Sequence, residues 1–173
     1  LNIFEERYLD LVNDSFRNDK LMGMVQSKRE NSLVYKVGCL GKISDFQETS
    51  DGRVLINLTG ITRFEITKEI TSKKKYREFE VDYKRFYKDL ITPNKVEAVY
   101  DKINFMEKVK DFFKKNGLMI NWKEFEKLDV SQKINTLSMI APISNEEKQK
   151  LLETVSLEDK TNTLLNIIKF YSY

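Results

Sequence analysis

Four groups of residues have types and spacings that could support chemistry: the lone Cys39, the glycine-lysine pair Gly41-Lys42, the adjacent acids Glu5-Glu6 and Glu146-Glu147, and the run Lys73-Lys74-Lys75-Tyr76-Arg77. The chain has no histidine, so the commonest metal ligand and the usual general base are missing. A Ser/His/Asp or Cys/His nucleophilic system is therefore impossible. Cys39 lies in an apolar stretch, where a thiol is ordinarily an inert packing group. A single cysteine also makes no internal disulfide, and a reducing compartment without a zinc site is expected.

A phosphate-binding loop needs Gly-x-x-x-x-Gly-Lys-Ser/Thr, so that backbone amides can cradle phosphates. Here Lys36 stands where the first glycine should be, and Ile43 follows Lys42. The acid pairs are adjacent in helical stretches, where neighbouring side chains diverge; they read as helix-start acids. No catalytic residue, cofactor or metal ligand emerges.

The basic run is more suggestive. From Lys68 to Lys88 there are eight Lys/Arg (68, 73, 74, 75, 77, 84, 85, 88) against four acids (69, 78, 80, 82). Cations interleaved with aromatic rings can hold a phosphate backbone while bases stack on the rings. Lys73, Lys74, Lys75 and Arg77 are therefore candidate nucleic-acid contacts. The plainer alternative is a solvated loop in a lysine-rich protein, and a net charge of +3 does not demand a polyanionic partner.

The elements that must position these residues fall into two halves. Val37 to Ile66 holds four of the six glycines. Ile43–Glu48 and Arg53–Leu58 flank Thr49-Ser50-Asp51-Gly52, a strong hairpin signal. Val54, Ile56 and Leu58 alternate with Arg53, Leu55 and Asn57, and Thr62, Phe64 and Ile66 with Arg63, Glu65 and Thr67 after Gly60, which predicts two strands with Gly60 between them. Gly38, Gly41 and Gly60 are placed to curl the sheet toward a small barrel.

Ahead of this element, Tyr8, Leu9, Leu11, Val12 and Phe16 form a helical stripe over Glu5 to Phe16, ended by Asn18-Asp19. Leu21–Val25 and Leu33–Val37 read as strands around a polar loop. Met22-Gly23-Met24 offers adaptable apolar contacts or, more plainly, a core strand. Phe79, Val81 and Tyr83 alternate in one more strand.

At Thr92-Pro93-Asn94 the period changes from two to about 3.6, and proline disfavours helix in the residue before it. Val96, Val99, Ile103, Met106, Val109 and Phe113 make a helical stripe that stops at Asn116-Gly117. Trp122–Leu128 and Ser131–Ile140 follow, the latter with Ile134, Leu137 and Ile140 on one face before Pro142. Ser144 or Asn145 caps the next helix. Ser156 caps the last, with Leu157, Leu164, Leu165, Ile168 and Tyr171 inward. The chain is thus α+β: a curved antiparallel β lobe over 1–91 and a helical lobe over 95–173. No apolar run approaches the roughly 18 residues that cross a bilayer, and Leu1-Asn2 lacks the regions of a signal peptide.

Gly38-Cys39, Gly41-Lys42-Ile43, Asp51-Gly52-Arg53 and Leu58-Thr59-Gly60-Ile61-Thr62-Arg63-Phe64 resemble the core of the LON substrate-binding domain. That domain forms the N-terminal part of the Lon ATP-dependent protease, stands alone in small bacterial proteins and occurs within cereblon. Ile3-Phe4-Glu5-Glu6-Arg7-Tyr8 is similar to the family's IFE-x-RY motif, and Lys148-Gln149-Lys150-Leu151-Leu152-Glu153 to its EKQ-x-LLE helix. The three matches keep the family's order. The resemblance implies a PUA-like barrel lobe joined to a helical bundle, with a strand ahead of the IFE motif.

It also implies recognition without catalysis, because neither the ATPase module nor the Ser-Lys protease module of Lon is matched here. The implied partners are unfolded or exposed protein segments, with a protease or chaperone as a further partner in cytoplasmic quality control. Met24, Phe46, Tyr76 and Phe79 are candidate contacts. Phe4, Glu5, Arg7, Tyr8, Gly38, Gly52, Gly60 and Arg63 carry the family motifs as structural residues, with Glu5 and Arg63 expected to pair where the first helix meets the barrel. PUA-like barrels include RNA binders, so nucleic-acid binding through the basic loop is the alternative function; an unrecognised enzyme comes last.

Overall fold

The computed structural model describes residues 1–28, 33–91 and 102–171, with side chains from Phe105 onward in the last segment. The chain divides into two compact units, Leu1–Thr92 and Pro93–Tyr173. The expected Thr92-Pro93-Asn94 boundary, Val96, Val99 and the Ile103 side chain lie outside the described residues.

The first unit runs β1 (Asn2–Ile3), α1 (Glu6–Arg17), β2 (Leu21–Met24), β3 (Val37–Glu48), β4 (Val54–Ile70), β5 (Glu78–Asp82) and a 3-10 segment, Lys84–Leu90. Among the described residues the strands form one antiparallel sheet in the order β1-β4-β3-β2, with β5 added to the far part of β4. The α1 stripe packs Val12 into a core with Ile3, Met22, Ile43 and Ile56, and Leu9, Leu11 and Phe16 close its edges. Tyr8, expected on that stripe, is exposed instead, with the Arg7 guanidinium over its ring at 4.5 Å.

The hairpin forms at the expected place. Gly52 has φ +83, a value an L side chain adopts only with strain, and Thr49 N–H donates to the Arg53 carbonyl at 2.9 Å. Two expectations differ. Residues 54–70 form one continuous strand, not two separated by Gly60. The sheet absorbs the irregularity as register shifts between Leu40/Gly41 and Ile43/Asp45, with Gly41 opposite Gly60. The separate strand expected at 33–37 is reduced to a single bridge, Ser27 to Val34, and β3 starts at Val37. Gly38 then lies inside a strand because space is short: an added Cβ would stand 2.6 Å from both the Met24 carbonyl oxygen and the Phe64 ring.

The second unit is helical: α2 (Lys102–Lys115), α3 (Trp122–Glu126), α4 (Val130–Ile140), α5 (Asn145–Glu153) and α6 (Leu157–Phe170). Its core joins Phe105, Val109, Phe112, Phe113, Phe125, Ile134, Leu137, Leu151, Leu164 and Ile168. Gly117, at φ +68, stops α2. The caps are local and complete. Asp129 with Gln132 and Ser144 with Glu147 form reciprocal capping boxes, and Ser156 accepts from the Asp159 N–H. Ile140 and Tyr171, expected inward, are exposed. Ile140 is the last residue of α4, and the Tyr171 hydroxyl reaches out to Glu147 at 2.8 Å.

Candidate functional site

Three of the four cations of the basic loop between β4 and β5 are held by carboxylates. The loop lies along α1, where Glu6, Asp10 and Asp14 recur every fourth residue and so share one helix face. Lys74 Nζ is 2.6 Å from Asp14 Oδ2, Lys75 Nζ bonds Glu6 and stands 3.7 Å from Asp10, and the Tyr76 hydroxyl donates to Asp14 at 2.8 Å. Arg77 forks onto Glu69 with contacts of 2.6 and 2.7 Å. Lys73 is exposed.

These contacts set the local electrostatics. Lys74 and the Tyr76 hydroxyl, both donating to Asp14, hold its carboxyl below the usual range. Partial burial and the Asp14 carboxylate push the Tyr76 hydroxyl up to about 12. Three of the four cations proposed for nucleic acid thus already face carboxylates of the same chain. A phosphate backbone would have to displace them.

The four candidate apolar contacts do not converge. Met24 sits on edge strand β2 opposite Cys39 and is 43% exposed. Phe46 is seven residues further along β3, roughly 23 Å at about 3.3 Å per residue; one side of its ring is covered by Phe16 at a centroid distance of 4.6 Å. Phe79 is half-buried on β5 under the Arg77 guanidinium, 5.0 Å away. Tyr76 is held by α1.

The expected pairing of Glu5 with Arg63 does not form. Glu5 pairs at the surface with Arg7 at 2.8 Å, and its carbonyl accepts the first helical N–H groups of α1. Phe4 is 62% exposed, with Arg53 at 5.9 Å from its ring. Arg63 instead takes Asp89 of the 3-10 segment. Its Nε and Nη2 each donate at 2.8 Å and its backbone N–H at 3.0 Å, while the guanidinium lies 4.4 Å from the Phe86 ring centroid. This clasp ties Lys84–Leu90 to β4 and buries Phe86.

Sequence reasoning missed Asp89 and Phe86, which no local pattern marks. Asp14 was also missed, although the four-residue spacing of the α1 acids carried its signal. Cys39 is half-buried, and burial pushes its thiol up, so it is protonated at neutral pH and a poor nucleophile. A cleft of about 430 Å³ between β4, β5 and the 3-10 segment is lined by Lys36, Glu65, Asp82, Lys84 and Arg85, with charges of both signs. Among the described residues no three metal-ligating side chains gather, and no helix is long and apolar enough to cross a membrane.

The family model for the ATP-dependent protease La (LON) substrate-binding domain matches residues 1–169. The chain belongs to the LON substrate-binding domain family. Two solved structures share the fold. The Lon N-terminal domain protein from Xanthomonas campestris is 20% identical, with a TM-score of 0.68 over 96% of this chain and 86% of that one. The N-terminal domain of the Mycobacterium avium complex Lon protease is 16% identical, with a TM-score of 0.64 over 98% of this chain and 89% of that one. No curated protein matches the sequence. Membership in this family supports a substrate-binding role.

Proposed function

We propose that this LON domain binds exposed or unfolded protein segments without catalysing their conversion, and acts as an adaptor in protein quality control. The family match over residues 1–169 carries the reading. The β unit adds two features that suit an extended apolar ligand. Among the described residues strand β2 pairs with β3 alone; the Ser15 hydroxyl of α1 donates to the Leu21 carbonyl at its start, and the rest of such an edge accepts another strand through main-chain hydrogen bonds. Leu21 and Met24 are exposed on that strand and offer it apolar contacts. Phe46, Tyr76 and Phe79 lie apart from that strand and would serve as separate contacts, with a protease or chaperone receiving the captured segment.

The pairing of Lys74, Lys75 and Arg77 with carboxylates disfavours the nucleic-acid alternative. A pull-down with a permanently unfolded polypeptide at low and high salt tests both readings, with the Lys73/Lys74/Lys75→Glu variant alongside. Retention by both forms at high salt is the expected result, since apolar contacts persist there while phosphate contacts weaken steeply. Nucleic acid held by the wild type alone, at low salt alone, overturns the proposal.

A further inference from the structure

We infer that the β4–β5 loop is an electrostatic strap that α1 holds closed, and that opening the strap frees Tyr76 for a bound protein segment. The inference rests on the substrate-binding reading above. Its geometry is a clamp on one helix face: Glu6, Asp10 and Asp14 follow one face of α1, where Lys74 and the Tyr76 hydroxyl both take Asp14 and Lys75 takes Glu6 and Asp10. Some 60 residues of chain separate the two partners, so the contact is a tertiary closure and not a local turn. The loop's own backbone contributes one short-range bond, from Lys74 N–H to the Ser72 hydroxyl at 3.1 Å.

The strap is built to release. Lys74, Lys75, Glu6 and Asp10 are between 44% and 76% exposed in their side chains, so salt screens them. Closure holds Tyr76 half-buried with its hydroxyl committed to Asp14. Opening returns the ring and the basic loop to solvent together, next to β5 and Phe79. The charged groups around Asp14 are Lys74, Tyr76 and Arg17, with Glu78 beside Lys74 and Tyr76. Lys74 and the Tyr76 hydroxyl hold the Asp14 carboxyl below the usual range, so Asp14 keeps its charge and both of its loop contacts through neutral pH.

Hydrogen exchange of the amides at 71–77 tests closure, and affinity for the unfolded polypeptide tests its consequence. Two or three exposed pairs, each worth a factor of about two, predict exchange about four to eight times faster in Glu6→Gln/Asp10→Asn/Asp14→Asn. The same gain is expected for the wild type at high salt, and for Lys74→Gln/Lys75→Gln, which changes only exposed loop residues. Affinity for the polypeptide should rise with the opening, and Tyr76→Ala should cancel the rise. Exchange that ignores both variants and salt overturns the strap. Faster exchange with unchanged affinity overturns the gating of Tyr76. Loss of all binding in every form, with exchange still responding, refutes the substrate-binding reading and leaves the closure standing.

Discussion

Removing the Asp89 carboxylate should destabilise the β unit far more than removing any carboxylate on its surface. Asp89 accepts three hydrogen bonds from Arg63, and the two side chains are 23% and 13% exposed. In Asp89→Ala the Arg63 guanidinium keeps Phe86 beneath it but loses the Asp89 carboxylate that accepts from two of its N–H groups, and the Arg63 backbone N–H loses the same partner. Breaking a fully buried pair costs about 3–5 kcal/mol, and an exposed pair about 0–1 kcal/mol. With roughly a fifth of the pair open to water, about 2–3 kcal/mol is expected. For a unit of this size 1 kcal/mol moves the melting point by about 4–8 °C, so the β-unit transition should fall by roughly 10–20 °C.

Far-UV circular dichroism follows that transition. The single tryptophan, Trp122, packs on Phe113 and Phe125 and reports on the helical unit separately. Arg63→Lys keeps the charge but loses the planar fork and the stacking, and should cost about 1–2 kcal/mol. Glu5→Gln breaks only the exposed pair with Arg7 and should stay within about 0.5 kcal/mol. An Asp89→Ala protein that melts within about 2 °C of wild type, or a Glu5→Gln protein that loses more, refutes the assignment of Arg63 to Asp89.

Three further outcomes follow from the same geometry. Gly38→Ala places a Cβ 2.5–2.6 Å from Val25, the Met24 carbonyl oxygen and the Phe64 ring, and should cost about 3 kcal/mol in urea unfolding; Gly60→Ala meets only Cys39 Sγ at 3.6 Å and should cost well under half of that. Ser144→Ala opens a reciprocal capping box and should lower stability by about 1 kcal/mol, read from Trp122 emission in denaturant. In alkaline spectrophotometric titration the Tyr76 hydroxyl should ionise near 12, above the usual value of about 10. Because the folded value is raised, its stabilising contribution is complete below about pH 10 and is lost as the pH climbs through the folded value. Asp14→Asn should bring that ionisation down.

Much of the fold was legible because it is set within four residues of chain. Gly52 and Gly117 stand where the backbone needs positive φ, and Ser144 and Ser156 stand where the first N–H groups of a helix need an acceptor. Helix periodicity named Val12 in the β unit and Val109, Phe113, Ile134, Leu137, Leu164 and Ile168 in the helical core, and strand alternation named Ile56. The IFE-x-RY, Leu-Thr-Gly and EKQ-x-LLE motifs carried the family.

What the sequence by itself determined was local: turns, caps, strand and helix periods, and the absence of histidine chemistry. Only the tertiary structure decided the partners of the charges. Arg63 meets Asp89 across 26 residues, and Lys74 meets Asp14 across 60. A charge pattern in one dimension offers many opposite-sign partners of similar strength, and the sheet register selects among them. The same reason explains why Gly60 failed to divide β4 and why Gly38 has no room for a Cβ. A glycine's local freedom is visible in sequence, whereas the Phe64 ring that excludes a Cβ at Gly38 is brought there by strand pairing.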